Sequence, residues 1–417
     1  MRSLANARRP WIALRNPNFR LYFGGQIVSL SGTWMQRIGQ SWLVLDLDPS
    51  PLALGTLTVL QFAPILLLSL FAGSIVDRFS KRWLVFVLQA AALVQATALA
   101  ALVLTHTVQI WHVYVLAAML GTISAFDSPA RQTFVSELVP REEIQSAVGL
   151  NASAFNVARI FGPGVGGLII AAAGVGWCFA INAASYVAVL VALAAMRGDA
   201  LLPGERSRGR VLGDIAGGLR YVVREPEIGG PLLLAVFVGT FGYNFSVALP
   251  LLARYTFGAG AAGFGLLNAA QGVGSLVGAL IVASRTTPTV ETLVVAASVF
   301  AVLLIALGAS PAFIVAALVL VFVGIAGVNA TTGTNALLQL RSEPAYRGRV
   351  LSLYFIAFAG TTPFGGAFTG AIANEWNVRV ALFVNAALVV VGAALALLYV
   401  RRRRPLAAAV GDRAGRG

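Results

Sequence analysis

Long apolar stretches separated by short polar breaks run the length of the chain. Their length sets the first expectation. A helix needs about 20 mostly apolar residues to cross a hydrocarbon layer. Twelve stretches qualify: 19–46, 51–76, 82–104, 109–128, 145–173, 176–196, 229–255, 263–284, 289–308, 311–338, 349–373 and 378–400. A membrane β-barrel would alternate apolar and polar positions over about ten residues per strand, and these runs are continuous. The pattern predicts an all-α membrane protein of twelve transmembrane helices, numbered here as spans 1 to 12.

A polar interval divides the spans six and six. The expected organisation is an N-terminal six-helix bundle with its tail (1–196), a linker (197–228) and a C-terminal six-helix bundle with a basic tail (229–417). In the linker, Val211, Leu212, Ile215, Leu219, Val222 and Val223 recur at amphipathic spacing around Asp214, Arg220 and Arg224. A helix lying on the inner membrane surface fits. So does a partly ordered linker, because Gly217 and Gly218 disfavour helix. The halves echo one another. Gly162-Pro163 in span 5 is matched by Thr362-Pro363 in span 11, and Asn182 in span 6 by Asn385 in span 12. Two related six-helix halves are a transporter architecture, here two pseudo-symmetric bundles.

Composition agrees with a lipid setting. Hydrophobic residues make up 58% of the 417 and charged residues 11%, against about 25% charged in soluble domains. The net charge of +14 would suit nucleic acid, but its distribution points elsewhere. Twenty-six of the 30 lysines and arginines fall in alternate loops and both tails. Arg254 and Arg379 fall on the other side, and Arg37 and Arg159 lie inside spans. That asymmetry is the positive-inside pattern and predicts both termini in the cytoplasm. The five arginines before span 1 are expected to form a cytoplasmic tail, since span 1 is too long and too polar for a signal-peptide core. The single cysteine, Cys178, excludes an internal disulfide. His106 and His112 flank an expected outer turn and read as structural. Metal-ligand clusters, a phosphate loop and a nucleophile–base pair are missing. No enzyme, cofactor, metal site or ATP-driven pump is expected.

Two motifs carry more information. Gly73, the Asp77-Arg78 pair and the basic pair Lys81-Arg82 follow span 2, and span 5 holds Gly149, Ala158, Gly162, Pro163, Gly166 and Gly167. Together they resemble the loop 2–3 and fifth-helix antiporter signatures of the major facilitator superfamily, with Ser80 and Ala158 where glycine is usual. A third segment, Asp127, Ser128, Pro129 and Arg131 through Glu137, Pro140 and Arg141, looks like the branch containing enterobactin exporters and macrolide efflux proteins. Asn16 to Arg20 and Thr33 to Arg37 fit that branch. The fourth-helix arginine common in drug antiporters is absent: Ala118 stands in its place.

The resemblance implies roles. Asp77 would latch onto the start of span 11 near Arg347 and Arg349, with Arg131 as a second partner and Gly73, Arg78, Lys81 and Arg82 completing the latch. The span 5 glycines would pack on span 8, at Gly272, Gly274 and Gly278, as a sliding interface. Spans 1, 4, 7 and 10 would line the cavity, giving Gln36, Arg37, Gln40, Phe241, Asn244, Asn329, Thr332 and Asn335 as substrate candidates, with Arg159 from span 5.

The residues qualify those roles. An arginine at helix-centre depth costs roughly 2.5–3.5 kcal/mol on insertion scales. Arg37 and Arg159 either attract an anionic or carbonyl-rich substrate or bridge backbone carbonyls, and both readings stay open. All sixteen carboxylates are expected in loops, tails or helix ends. Asp127, at the inner end of span 4, is the proton-coupling candidate, and a plain helical ion pair with Arg131 four residues on is its rival. The expected function is export of a drug-like or siderophore-like organic molecule by alternating access, with proton antiport, by a monomer in a bacterial inner membrane. A lipid or lysophospholipid carrier, an importer, and a non-transporting sensor or assembly subunit are the alternatives.

Overall fold

In the computed structural model, residues 11–202, 211–284 and 288–414 are described, without the side chains of residues 70, 73, 74, 211–216 and 404–414. Gly73, Asp214 and the linker positions 211–215 therefore lie outside the described side chains.

Among the described residues, thirteen helices are numbered in chain order. The first six are α1 (Pro17–Leu47), α2 (Pro51–Val76), α3 (Lys81–Leu104), α4 (Ile110–Leu138), α5 (Ile144–Ala173) and α6 (Val175–Ala195). A linker helix, α7 (Val211–Arg224), follows. Then come α8 (Pro226–Thr256), α9 (Gly260–Ser284), α10 (Val290–Ala309), α11 (Phe313–Arg341), α12 (Arg347–Glu375) and α13 (Val378–Ala414). Among the described residues, eleven helices are long and apolar enough to cross a membrane. The twelfth is α1, 31 residues long, whose interior carries Gln26, Gln36 and Gln40, all buried.

Local chemistry explains the boundaries. Asn16 caps α1 by accepting from the backbone N–H of Asn18 (3.0 Å) and Phe19 (3.3 Å), with Pro17 in the first turn. His112 Nδ1 accepts from the Gln109 N–H (3.0 Å) at the start of α4. Gly174, at φ +91°, makes the hairpin between α5 and α6.

Span 4 ends later than its apolar run suggested. Instead of stopping near 128, α4 continues through Pro129 to Leu138. Its polar positions Asp127 and Arg131 point into a polar interior, so loss of hydrophobicity there does not mark a loop. Arg131 is thus a helical residue and Asp127 an interior one, and the expected confinement of carboxylates to loops and helix ends fails at Asp127.

The chain forms two compact units: Met1–Pro49, Ala63–Gly209 and Ala259–Ala269, and Ser50–Phe62, Arg210–Gly258 and Ala270–Gly417 (described residues). The start of α2 thereby belongs with the second unit and the start of α9 with the first. Glycines explain both assignments. In the first unit, a Cβ on Gly162 would sit 2.7 Å from the Ser31 carbonyl of α1, and one on Gly167 would sit 2.7 Å from Gly265 Cα and the Ala261 carbonyl of α9. In the second, Gly365 meets the Thr240 carbonyl of α8, while Gly366 abuts Thr58 and Gly370 abuts Pro51 and Gly55 of α2. The span 5 and span 11 motifs thus perform matching tasks in pseudo-symmetric bundles: each lets two neighbours approach at backbone distance.

The expected partner on span 8 needs correcting. Gly265 meets Gly167, whereas Gly274 and Gly278 pack on Val321 and Ile325 of α11 inside the second unit. A run of glycines one turn apart marks a contact face without naming the helix that uses it.

Candidate functional site

The first unit has a polar interior supplied by four helices. Asp127 and Arg131 lie four residues apart on α4 and form an ion pair, with Asp127 only 5% exposed. Gln89 of α3 donates from Nε2 to Asp127 Oδ1 at 2.9 Å. Arg131 Nη1 donates to Gln26 Oε1 of α1 at 2.6 Å. Each charge is therefore bracketed by one amide. Gln26 Nε2 and Gln89 Oε1 keep buried hydrogen-bonding capacity that no described protein group uses, as does the Tyr22 hydroxyl. Reading the sequence missed Gln26 and Gln89 as partners. Their signal was a glutamine within an apolar span, which is costly in lipid unless paired.

A second string ties these three helices to α6. Asn182 Nδ2 donates to Gln36 Oε1 (2.6 Å) and Gln36 Nε2 to Gln95 Oε1 (3.0 Å). Gln95 Nε2 ends the string on the Leu116 carbonyl (3.0 Å). Ser185 Oγ donates back to Asn182 Oδ1 (3.0 Å). Gln36, a cavity candidate, is thus fully buried and holds α3 and α6 to α1. Gln40 is also fully buried. Arg37 is half-buried, its guanidinium 5.0 Å from the Trp34 ring centroid. Arg159 is half-buried on α5 beside the fully buried Ala158. Gly149 faces open space, and Gly166 abuts Met35 of α1.

At the end of α2, Asp77 pairs with Lys81 at 3.5 Å. Lys81 also donates to the Val76 carbonyl (2.6 Å), and Arg82 donates to the carbonyls of Leu193 (2.8 Å) and Ala194 (3.2 Å). The basic pair thus neutralises the carbonyl ends of α2 and α6. Arg78 is exposed. Arg131, expected as a second latch residue, is instead engaged by Asp127 and Gln26 in the interior.

In the second unit, Arg347 is exposed and Arg349 lies 5.4 Å from the Tyr346 ring. Helix α8 contains two π-helical segments, Val238–Gly242 and Leu252–Thr256, and α12 contains one, Ile356–Gly360. Such widened turns occur often at functional sites, and here Gly239 of the first packs directly on Phe358 of the third. Phe241 is half-buried with its ring 5.4 Å from Phe368. Asn244 is buried at the break in α8, donating to the Thr240 carbonyl at 2.8 Å. On α11, Asn329 donates to the Ile325 carbonyl (2.8 Å), Asn335 Oδ1 accepts from Gln339 (2.5 Å), and Thr332 is exposed.

Two pseudo-symmetric bundles of long helices with small-residue contacts and a buried polar interior define a membrane protein of the major facilitator fold. Solved structures agree on the fold. A bacterial homologue of the human lysosomal transporter Spinster superposes with TM-score 0.69 at 15% identity, covering 91% of this chain and 97% of the other. The D-xylose–proton symporter gives 0.66 at 16%, covering 92% and 96%.

The chain belongs to the transmembrane secretion effector family, whose model matches residues 8–410. It is 25% identical to the staphyloferrin A transporter of Staphylococcus aureus, over 63% of this chain and 66% of that protein. It is 29% identical to the uncharacterised transporter YfiS of Bacillus subtilis, over 62% of each. With the enterobactin exporter EntS of Escherichia coli O1:K1 it shares 23% identity over 93% of each chain. The matches to the first two span less than two thirds of those proteins. The protein is a multi-pass membrane protein of this family.

Proposed function

We propose that this protein exports a drug-like or siderophore-like organic molecule by alternating access, in exchange for protons. It would work as a monomer in a bacterial inner membrane with both termini cytoplasmic. The observation that carries the reading is the buried Asp127–Arg131 pair bracketed by Gln89 and Gln26. A carboxylate can take up a proton where an arginine cannot release one. Protonated Asp127 becomes a donor and frees Arg131 from its counter-ion. Gln89 already holds Asp127 and has an Oε1 with spare capacity; an amide flip lets it accept the new proton's hydrogen bond. Arg131 stays tethered by Gln26. The site thus has two hydrogen-bonded states differing by one proton; the protonated one leaves the Arg131 charge to Gln26 alone, and a conformation or cargo that supplies that charge with a new partner couples to the proton. The near full-length similarity to an enterobactin exporter supports the cargo class and direction.

Expression in an efflux-deficient bacterium, with a panel of antibiotics, dyes and siderophores, tests the cargo. Collapse of the proton gradient should abolish efflux of any substrate found, and Asp127→Asn should uncouple transport from an imposed pH gradient in proteoliposomes. A full pH-gradient response in that variant removes Asp127 from the coupling role. The latch is proposed on Asp77, with Lys81 as its local partner. Asp77→Asn should slow transport while the protein still reaches the membrane, and an unchanged rate removes the latch.

A further inference from the structure

The linker helix α7 presents two different faces. One packs on its own unit. Tyr221 stacks on Tyr346 with ring centroids 4.4 Å apart, and its hydroxyl accepts from the Glu343 N–H at 3.2 Å. Val222 is buried with Ile228, Leu232, Leu338 and Val350. Gly217 and Gly218 lie against the Arg349 side chain, where a Cβ on Gly218 would sit 2.9 Å from Arg349 Cβ. The other face is open. Leu219 is 55% and Val223 47% exposed, one turn apart, and Arg220 and Arg224 are exposed in the adjoining register.

The end of α13 adds to this open face. Tyr399 donates from its hydroxyl to the Val223 carbonyl at 3.2 Å, and Arg403 donates to the same oxygen at 2.9 Å. These bonds close the last turn of α7 and bring Arg401, Arg402 and Arg403, all exposed, to its C-terminal end. Of the acidic residues that follow α7, Glu227 is paired with Arg341 at 2.9 Å, and Glu225 is exposed.

Two aliphatic side chains flanked by guanidinium groups on a fixed helix match one chemistry. The aliphatic pair suits acyl chains at the interface. Arginine forks bind phosphate oxygens bidentately and reach headgroup depth by extending along apolar surface. We propose that the open face of α7, with the arginines at the end of α13, is a binding site for an anionic phospholipid. The orientation proposed above decides only which leaflet supplies it.

The test places a reporter at the site. Cys178 is the single cysteine and fully buried, so a fluorophore attached to Glu225→Cys, exposed just past α7 and outside the proposed face, labels the site selectively. The labelled full chain is reconstituted in nanodiscs with brominated phosphatidylglycerol or brominated phosphatidylcholine as quencher. Both leaflets are alike there, so the outcome is independent of orientation. Half-quenching is expected at a lower mole fraction of phosphatidylglycerol. Each arginine neutralised in Arg220→Gln and Arg224→Gln should weaken the preference about fivefold, while Arg220→Lys/Arg224→Lys keeps most of it and Arg15→Gln leaves it unchanged. Equal quenching by the two lipids overturns the proposal. So does an unchanged preference in the double glutamine variant, or its loss to inorganic phosphate but not to chloride of equal ionic strength.

Discussion

Asp127→Asn gives the sharpest test of the interior. The substitution keeps the shape and leaves the Arg131 charge without its counter-ion in a site where Asp127 is 5% exposed. Removing one partner of a buried ion pair costs about 3–5 kcal/mol, largely because the other charge stays buried. On the unfolding-entropy scale of globular domains, 417 residues correspond to about 0.9 kcal/mol per degree. The expected loss is then about 3–6 °C in Tm. The protein carries its own probe: Cys178 is fully buried, its thiol donating to the Gly166 carbonyl at 3.4 Å, so a thiol-reactive dye reports unfolding of the first unit. The double variant Asp127→Asn/Arg131→Gln removes both charges and should recover at least half of the loss. A Tm for Asp127→Asn within 1 °C of the parent by this assay, roughly 1 kcal/mol on that scale, refutes the buried-pair reasoning. A double variant less stable than the single one refutes the coupling between the two residues.

Other consequences follow from the same contacts. Gly265→Val inserts a side chain where backbones already meet, so transport should fall at least tenfold while membrane expression persists, measured by efflux beside a surface-expression blot. Gln36→Leu cuts the Asn182–Gln36–Gln95 string and leaves two buried amides short of a partner, at about 1–3 kcal/mol each; the same thiol assay should show a lower Tm. Tyr221→Ala removes the stack on Tyr346, worth about 0.5–1.5 kcal/mol beyond its buried area. It should raise proteolytic cleavage in the linker under limited trypsin.

Single residues show where reading along the chain stopped. Asp127 and Arg131 were recognisable as an i,i+4 pair, because helical spacing is a local property. That α4 carries them inward, with Gln89 and Gln26 on either side, depends on three helices packing together. The span 5 glycines announced a close contact, yet which α9 glycine receives them depended on the register between helices. Arg37 and Arg159 were legible as costly charges, and Trp34, three residues before Arg37 on the same helix, was within local reach.

By itself, the sequence determined what the solvent demands of each segment: which runs can sit in lipid, which loops carry arginine, and that two halves repeat a glycine–proline and an asparagine. Hydrophobic length and charge bias act residue by residue, so they survive without coordinates. Only the tertiary structure decided which polar groups share an interior, which units claim the starts of α2 and α9, and that Gly217 and Gly218 admit the side chain of Arg349. Those outcomes depend on distances of about 3 Å between segments far apart in the chain, and hydrogen bonding and steric exclusion change over that scale.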